Sequence, residues 1–198
     1  MYERFTKINL IILRCRLLTR TLTLSLVFFI GGCSMQKNQA TAEIKGLGSS
    51  PLSGVATFIE TKKGVEAKIS LSGYGATSLG VHLHDYGDCS AQDGSSAGGH
   101  WNPTNEEHGA WGGDSFHSGD IGNIIINEDE KGSLVLLDQY GRWTIDKDDK
   151  TSLVGKAIII HANSDDKRTQ PTGAAGARIG CGEIKIKKAI KLSVSQPY

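Results

Sequence analysis

The sequence predicts an all-β domain, an antiparallel barrel or sandwich of eight strands. Three observations predict it. Beyond residue 41 the chain breaks into short segments of β character separated by glycine-rich turns. That region has no amphipathic segment of helical period, and only two long connections interrupt the brief turns. The first strand is expected over 42–47. The second, 55–59, follows Gly54, and the third, 65–71, lies between Gly64 and Gly73. Residues Val65 to Leu71 alternate strictly between apolar and polar, as a half-buried strand does. The fourth strand, 79–84, ends in His82-Leu83-His84. Strands at 121–127 and 133–138 follow. The seventh, 154–162, contains the apolar run Ala157-Ile158-Ile159-Ile160 closed by His161, and the eighth covers 177–186. The two long connections are 85–119 and 163–176. Loops of that length inside a compact domain are usually functional. The first would lose much entropy on ordering unless metal ligands and a disulfide at Cys89 tied it down.

A chain of 198 residues makes one domain with appendages. Arg14, Arg16 and Arg20 precede the apolar run 22–30, which ends in Gly31-Gly32-Cys33. A basic region, a short apolar core and small residues make a secretory signal. The run is far shorter than the roughly 20 residues of a spanning helix. Ile30-Gly31-Gly32-Cys33 also resembles a bacterial lipobox, which makes Cys33 the lipidated first residue of the mature protein. A plain signal peptide is the alternative. The expected organisation is a signal peptide over 1–32, a lipid-anchored tether over 33–41, the domain over 42–187 and a tail over 188–198. Each buried methylene of a lipid contributes about 0.8 kcal/mol, so a multiply acylated cysteine anchors stably. The chain is then exported and membrane-anchored, facing the periplasm of a two-membrane cell or the exterior of a one-membrane cell. The tail, basic and then polar, reads as a frayed end or a membrane-surface contact.

Without residues 1–32 the chain carries 17 basic and 20 acidic residues, and its net charge passes from +1 to −3. This excludes a nucleic-acid binder by composition, because the basic patch such binding needs is missing. Attraction for an anionic substrate must be local. Of the four cysteines, Cys15 leaves with the signal and Cys33 takes lipid. Cys89 and Cys181 remain, and an even pair in an exported chain favours a disulfide over two buried thiols. Closing that loop is worth about 4–5 kcal/mol in the chain-entropy model.

All six histidines lie between His82 and His161, and five fall in one 36-residue window. Imidazole is the commonest biological metal ligand and suits zinc and copper. His82 and His84 alternate on a strand and share a face. His117 and Asp120 lie three apart around a glycine, which lets a turn aim both at one ion. Three histidines and an aspartate in tetrahedral geometry suit zinc, while nitrogens near square-planar geometry suit Cu(II). Singly, each histidine could be a surface or satisfied core residue. Together they read as a metal site.

The chain resembles the copper/zinc superoxide dismutases of the bacterial exported type. The resemblance rests on Gly80-Val81-His82-Leu83-His84 with Gly87-Asp88-Cys89-Ser90, on Ser96-Ala97-Gly98-Gly99-His100-Trp101-Asn102-Pro103, and on His108-Gly109. It continues through His117-Ser118-Gly119-Asp120-Ile121-Gly122-Asn123, residues 154–161, and Gly176-Ala177-Arg178-Ile179-Gly180-Cys181-Gly182. It covers residues 42–187 and implies an eight-stranded Greek-key barrel. It also implies one copper and one zinc per subunit. Copper would be held by His82, His84, His100 and His161, and zinc by His100, His108, His117 and Asp120, with His100 bridging. Asp165 would link His82 to His108 and fix their orientation. Arg178 would hold the anion beside copper, with His100 passing a proton, and Cys89 would pair with Cys181. Thr172 fits the family's channel threonine, but Pro171 stands where a lysine often precedes it. Lys167 and Arg168 are candidates for steering charge instead. The implied activity is conversion of superoxide to dioxygen and hydrogen peroxide by alternate reduction and reoxidation of copper. The alternative is a copper- and zinc-binding lipoprotein that buffers or delivers metal without turnover. Monomer and homodimer both stay open.

Overall fold

Alternation decides which side of each strand faces inward. In the computed structural model, which describes residues 38–187, Val65, Ala67, Ile69 and Leu71 are buried while Lys68 and Ser70 face solvent. The strands are β1 (Gln39–Gly46), β2 (Ser53–Thr61), β3 (Gly64–Ser72), β4 (Thr77–His84), β5 (Asp120–Ile126), β6 (Lys131–Asp138), β7 (Ala157–His161), β8 (Arg178–Glu183) and β9 (Lys185–Ile186). The only helical turn among the described residues is Ser95–Ala97. Ala40, Ala42 and Ile44 of β1, Ala56 and Phe58 of β2, and Leu79, Val81 and Leu83 of β4 fill the interior with β3.

The eight main strands run β5-β4-β7-β8-β1-β2-β3-β6 around one antiparallel sheet. β5 and β6 lie against each other and bring the sheet close to a full barrel. β1, β2 and β3 are successive hairpins, whereas β3 to β4 and β6 to β7 pass to strands that are not neighbours. Those two crossings make the Greek-key path. The disulfide forms between Cys89 and Cys181, with Cα atoms 5.8 Å apart, and fastens the long β4–β5 connection to β8.

Three boundaries differ from expectation by three residues. β1 begins at Gln39 rather than residue 42, since Gln39 pairs with Ile59 and Ala40 turns into the core. The sheet therefore claims residues 39–41 of the expected tether. β7 begins at Ala157 rather than residue 154, because the chain turns at Gly155, whose φ of 83° suits glycine. The last expected strand breaks at Ile184, which is buried and whose N–H donates to the Lys156 carbonyl at 2.9 Å. β8 ends before it, and β9 pairs with β1 instead. A third long connection, residues 139–156, also emerges. It buries Trp143, Ile145 and Leu153 against the barrel. The expected signal peptide, the lipidated Cys33 and the tail 188–198 lie outside the described residues.

Candidate metal centre

Strand register brings the histidines to the same place. Across β4 and β5, His82 pairs with Asp120; across β7 and β8, His161 pairs with Arg178; an isolated bridge joins His84 to His100. Register shifts fall between Val81 and His82 and between Ile160 and His161. Bulges of this kind re-aim a side chain without ending the strand.

The six imidazoles sort into two donor sets that share His100. In the first, His82, His84, His100 and His161 bring one ring nitrogen each within 4.8 Å of the others. Each ring is held by its other nitrogen. His84 Nδ1 meets the Gly98 carbonyl at 2.9 Å, and His161 Nδ1 the Gly176 carbonyl at 3.1 Å. His82 Nε2 meets Asp165 Oδ2 at 3.1 Å, and His100 Nδ1 meets Asp120 Oδ1 at 3.0 Å. The four nitrogens left over, His82 Nδ1, His84 Nε2, His100 Nε2 and His161 Nε2, are buried and have no hydrogen-bond partner. Buried polar atoms are nearly always satisfied. Four neighbouring orphans with lone pairs available fit a metal that accepts imidazole nitrogen.

The second set is His100, His108, His117 and Asp120. Nδ1 of the three histidines lies 3.0, 3.0 and 3.1 Å from Asp120 Oδ1. A tetrahedral zinc with bonds near 2.0 Å has ligand–ligand edges of about 3.3 Å, close to these separations. His108 Nδ1 has no aligned hydrogen-bond partner despite its proximity to Oδ1. The other carboxylate oxygen, Oδ2, accepts the main-chain N–H groups of His117 at 2.8 Å and Gly109 at 3.1 Å, which leaves Oδ1 for the cluster. Asp165 joins the two sets, taking His82 on Oδ2 and His108 Nε2 on Oδ1 at 2.9 Å.

The family model of copper/zinc superoxide dismutase (SODC) matches residues 52–184. The chain belongs to this family. It is 37% identical over 136 residues to superoxide dismutase 2 of Aquifex aeolicus, covering 67% of this chain and 78% of the relative. It is 37% identical over 155 residues to the Caulobacter vibrioides enzyme, covering 74% and 85%. Among solved structures, the clock protein EA4 is 28% identical with a TM-score of 0.67, over 76% of this chain and 96% of that one. A superoxide dismutase-like protein from Bacillus subtilis is 31% identical with a TM-score of 0.64, over 72% and 96%. The cofactors of the family are copper and zinc, and the two donor sets have the chemistry to hold them.

In this superoxide dismutase fold, electrostatics keep His84, His100 and His161 of the first set neutral. Burial pushes the His84 pKa down to about 2, with the neighbouring His100, Arg178 and His161 adding to the effect. Burial likewise lowers His161 to about 3 and His100 to about 4. A neutral imidazole is what a metal needs. His108 differs: burial pulls its pKa down, but Asp120 and Asp165 together raise it to about 9. Burial raises both carboxylates, yet the imidazoles of His100, His108 and His117 gathered at its oxygens hold Asp120 well below the ordinary range. Bonds from His108 and His82 do the same for Asp165.

Arg178 begins β8 beside His161. Its guanidinium donates through Nη1 to the Gly94 carbonyl at 2.6 Å and through Nη2 to the Gly98 carbonyl at 2.7 Å. Gly98 thus anchors both Arg178 and His84. Thr172, Lys167 and Arg168 all lie exposed on the connection between β7 and β8. Sequence reasoning missed two groups that brace the centre. Trp143 reaches the turn of the second donor set from the 139–156 connection, and Gln170 meets the main chain of His108. Neither belongs to a spacing pattern that could have flagged it. Gly173 was also missed. Its φ is 65°, and a Cβ there would collide with Asp165 Oδ1 and sit 2.6 Å from His108 Nε2.

Proposed function

We propose that the chain is a superoxide dismutase, with His82, His84, His100 and His161 as copper ligands and His100, His108, His117 and Asp120 as zinc ligands. The observation that carries the reading is the group of four buried, unpartnered ring nitrogens beside the Arg178 guanidinium. When bound, copper supplies the one-electron chemistry that turns two superoxide ions and two protons into dioxygen and hydrogen peroxide, while zinc supplies fixed charge. Arg178 holds the small anion, since its planar fork of donors is charged at every working pH. The carbonyls of Gly94 and Gly98 keep that fork in place. His100 stands in both donor sets, with Nδ1 toward Asp120 and Nε2 toward the first set. That makes Nε2 the atom that takes up a proton and returns it to the reduced product. Asp165 sets the orientation of His82 and His108.

Lys167 and Arg168, exposed on the connection between β7 and β8, supply steering charge to the site. Focused positive potential raises encounter rates with anions, an effect for which superoxide dismutase itself is a standing example. Neutralising both should flatten the salt dependence of kcat/KM, and an unchanged dependence rules the idea out. The domain works outside the cytoplasm, tethered by acylated Cys33. The basic, apolar and small residues before Cys33 and the Cys89–Cys181 disulfide support this placement. Replacing Cys33 by alanine should release the protein from the membrane fraction.

The test of activity is superoxide disproportionation by the copper- and zinc-reconstituted protein beside a His161→Ala control. Copper-dependent turnover that the control loses is expected. Full metal loading without turnover would instead assign the chain to metal buffering or delivery. That second reading keeps its place because similar solved structures include proteins named otherwise than as dismutases.

A further inference from the structure

The segment that carries His108 has an unusual means of support. Residues 107–109 belong to no strand or turn, and among the described residues they make no main-chain hydrogen bond to other main chain. Side chains hold them instead. Ser115 Oγ accepts from the Glu107 N–H at 3.0 Å and donates to the Glu107 carbonyl at 3.1 Å. Asp120 Oδ2 accepts from the Gly109 N–H. Between them, the carboxamide of Gln170 serves both polar groups of His108. Gln170 Oε1 accepts from the His108 N–H at 2.8 Å, and Gln170 Nε2 donates to the His108 carbonyl at 2.9 Å. One side chain, 62 positions away in sequence, thus imitates a neighbouring strand.

The same connection that carries Gln170 carries Asp165, which meets His108 Nε2. His108 is therefore held at two separate points, its main chain by Gln170 and the far side of its ring by Asp165. Two fixed points on one residue define where the remaining ring nitrogen, Nδ1, is aimed. Nδ1 lies 3.0 Å from Asp120 Oδ1, inside the second donor set. His108 is buried, so without Gln170 its main-chain groups lose their only protein partners among the described residues. The segment would then have to shift to find others.

We propose that Gln170 is a positioning residue for the zinc site, acting on His108 through its main chain. This rests on the reading of His100, His108, His117 and Asp120 as zinc ligands. Groups that orient a ligand from outside its metal commonly set affinity by ten-fold or more. Gln170 is itself exposed, so its replacement opens no cavity in the core.

The experiment measures zinc dissociation constants by chelator competition, with copper affinity and the visible spectrum of the Co(II)-substituted site alongside, for the full chain, Gln170→Ala and Gln170→Glu. Gln170→Ala should bind zinc about ten-fold more weakly and shift the Co(II) bands, with copper affinity unchanged. Gln170→Glu keeps an acceptor for the His108 N–H but faces the His108 carbonyl with an oxygen, and should lose part of the affinity. Zinc binding by Gln170→Ala within two-fold of the parent, with superimposable Co(II) bands, overturns the proposal. Equal weakening of both metals also overturns it, because that marks a general loss of structure. If Gln170→Ala fails to fold, the same comparison is made on Gln170→Glu, where parental zinc affinity overturns it. A parent chain that takes no zinc overturns the donor-set assignment, and this role with it.

Discussion

The indole N–H of Trp143 donates to the carbonyl oxygen of Ser118 at 2.7 Å. Ser118 sits between His117 and Asp120, so this bond braces the turn that carries two donors of the second set. Trp143 is fixed in its own right: its main-chain N–H donates to the buried Asp138 Oδ2 at 2.7 Å, and its ring lies 4.7 Å from that of Trp111. Next to it, Arg142 forms a two-pronged ion pair with Glu106 and stacks over Phe116 at 4.5 Å. Trp143→Phe keeps an aromatic ring but removes the donor and strands a buried carbonyl. The expected cost is about 1–3 kcal/mol, read as a lower urea midpoint with an unchanged m-value.

Asp165→Asn tests the link between the donor sets. A carboxamide presents one acceptor and one donor where two imidazoles now meet two acceptors. One ring must lose its partner or change tautomer. Metal retention after dialysis against a chelator should fall about 10–100-fold, and retention equal to the parent would contradict the role.

Gly173→Ala should be among the most damaging small substitutions in the chain. The new methyl would meet the Asp165 carboxylate and the His108 ring far inside contact distance, at a φ that L-residues rarely adopt. The connection has to move, and Asp165 with it. We expect a loss of several kcal/mol together with poor metal retention. Thermal unfolding of the metal-free and metal-loaded proteins measures the two effects separately.

Acid should weaken the metal-free protein from the pH at which free imidazoles begin to take up protons. His84, His161 and His100 have folded pKa values near 2, 3 and 4, below the 6.5 of a free imidazole. Between pH 6.5 and about 4 the unfolded chain therefore binds more protons than the native one. Stability is full above pH 6.5 for these groups and falls as the pH drops, by up to about 1.4 kcal/mol per pH unit for each imidazole. His108 has the opposite sign: its pKa is raised to about 9, so its contribution is full below pH 6.5 and is lost as the pH climbs through 9. The urea midpoint of metal-free protein should thus be lower at pH 5 than at pH 7. Equal midpoints would contradict the burial of neutral imidazoles.

The donor residues were legible in the sequence for a physical reason. Metal ligands are few, chemically distinctive and confined to histidine and aspartate, and strand alternation already places His82 and His84 on one face. The β strands were legible where one face is buried and the other wet, as from Val65 to Leu71. The boundary of β7 was not, because Val154 looks like strand until the turn at Gly155 is known. The 139–156 connection escaped notice because it carries no histidine. Its contribution comes from Arg142 and Trp143, whose contacts depend on how the chain crosses the barrel. Gln170 was equally silent: a polar residue in a polar loop has no period, and its two bonds to His108 exist only after the loops dock.

The Greek-key path also has a kinetic consequence. His82 and His161 stand on strands that neighbour each other in space but lie 79 positions apart, with the β6–β7 crossing between them. The first donor set cannot be assembled from a local hairpin, so it does not exist on a partly folded chain. Loop closure over such separations must be met before the contacts that reward it form, which makes folding of this topology slow. A metal of the first set is therefore captured by a finished barrel and cannot serve as the nucleus around which the barrel forms.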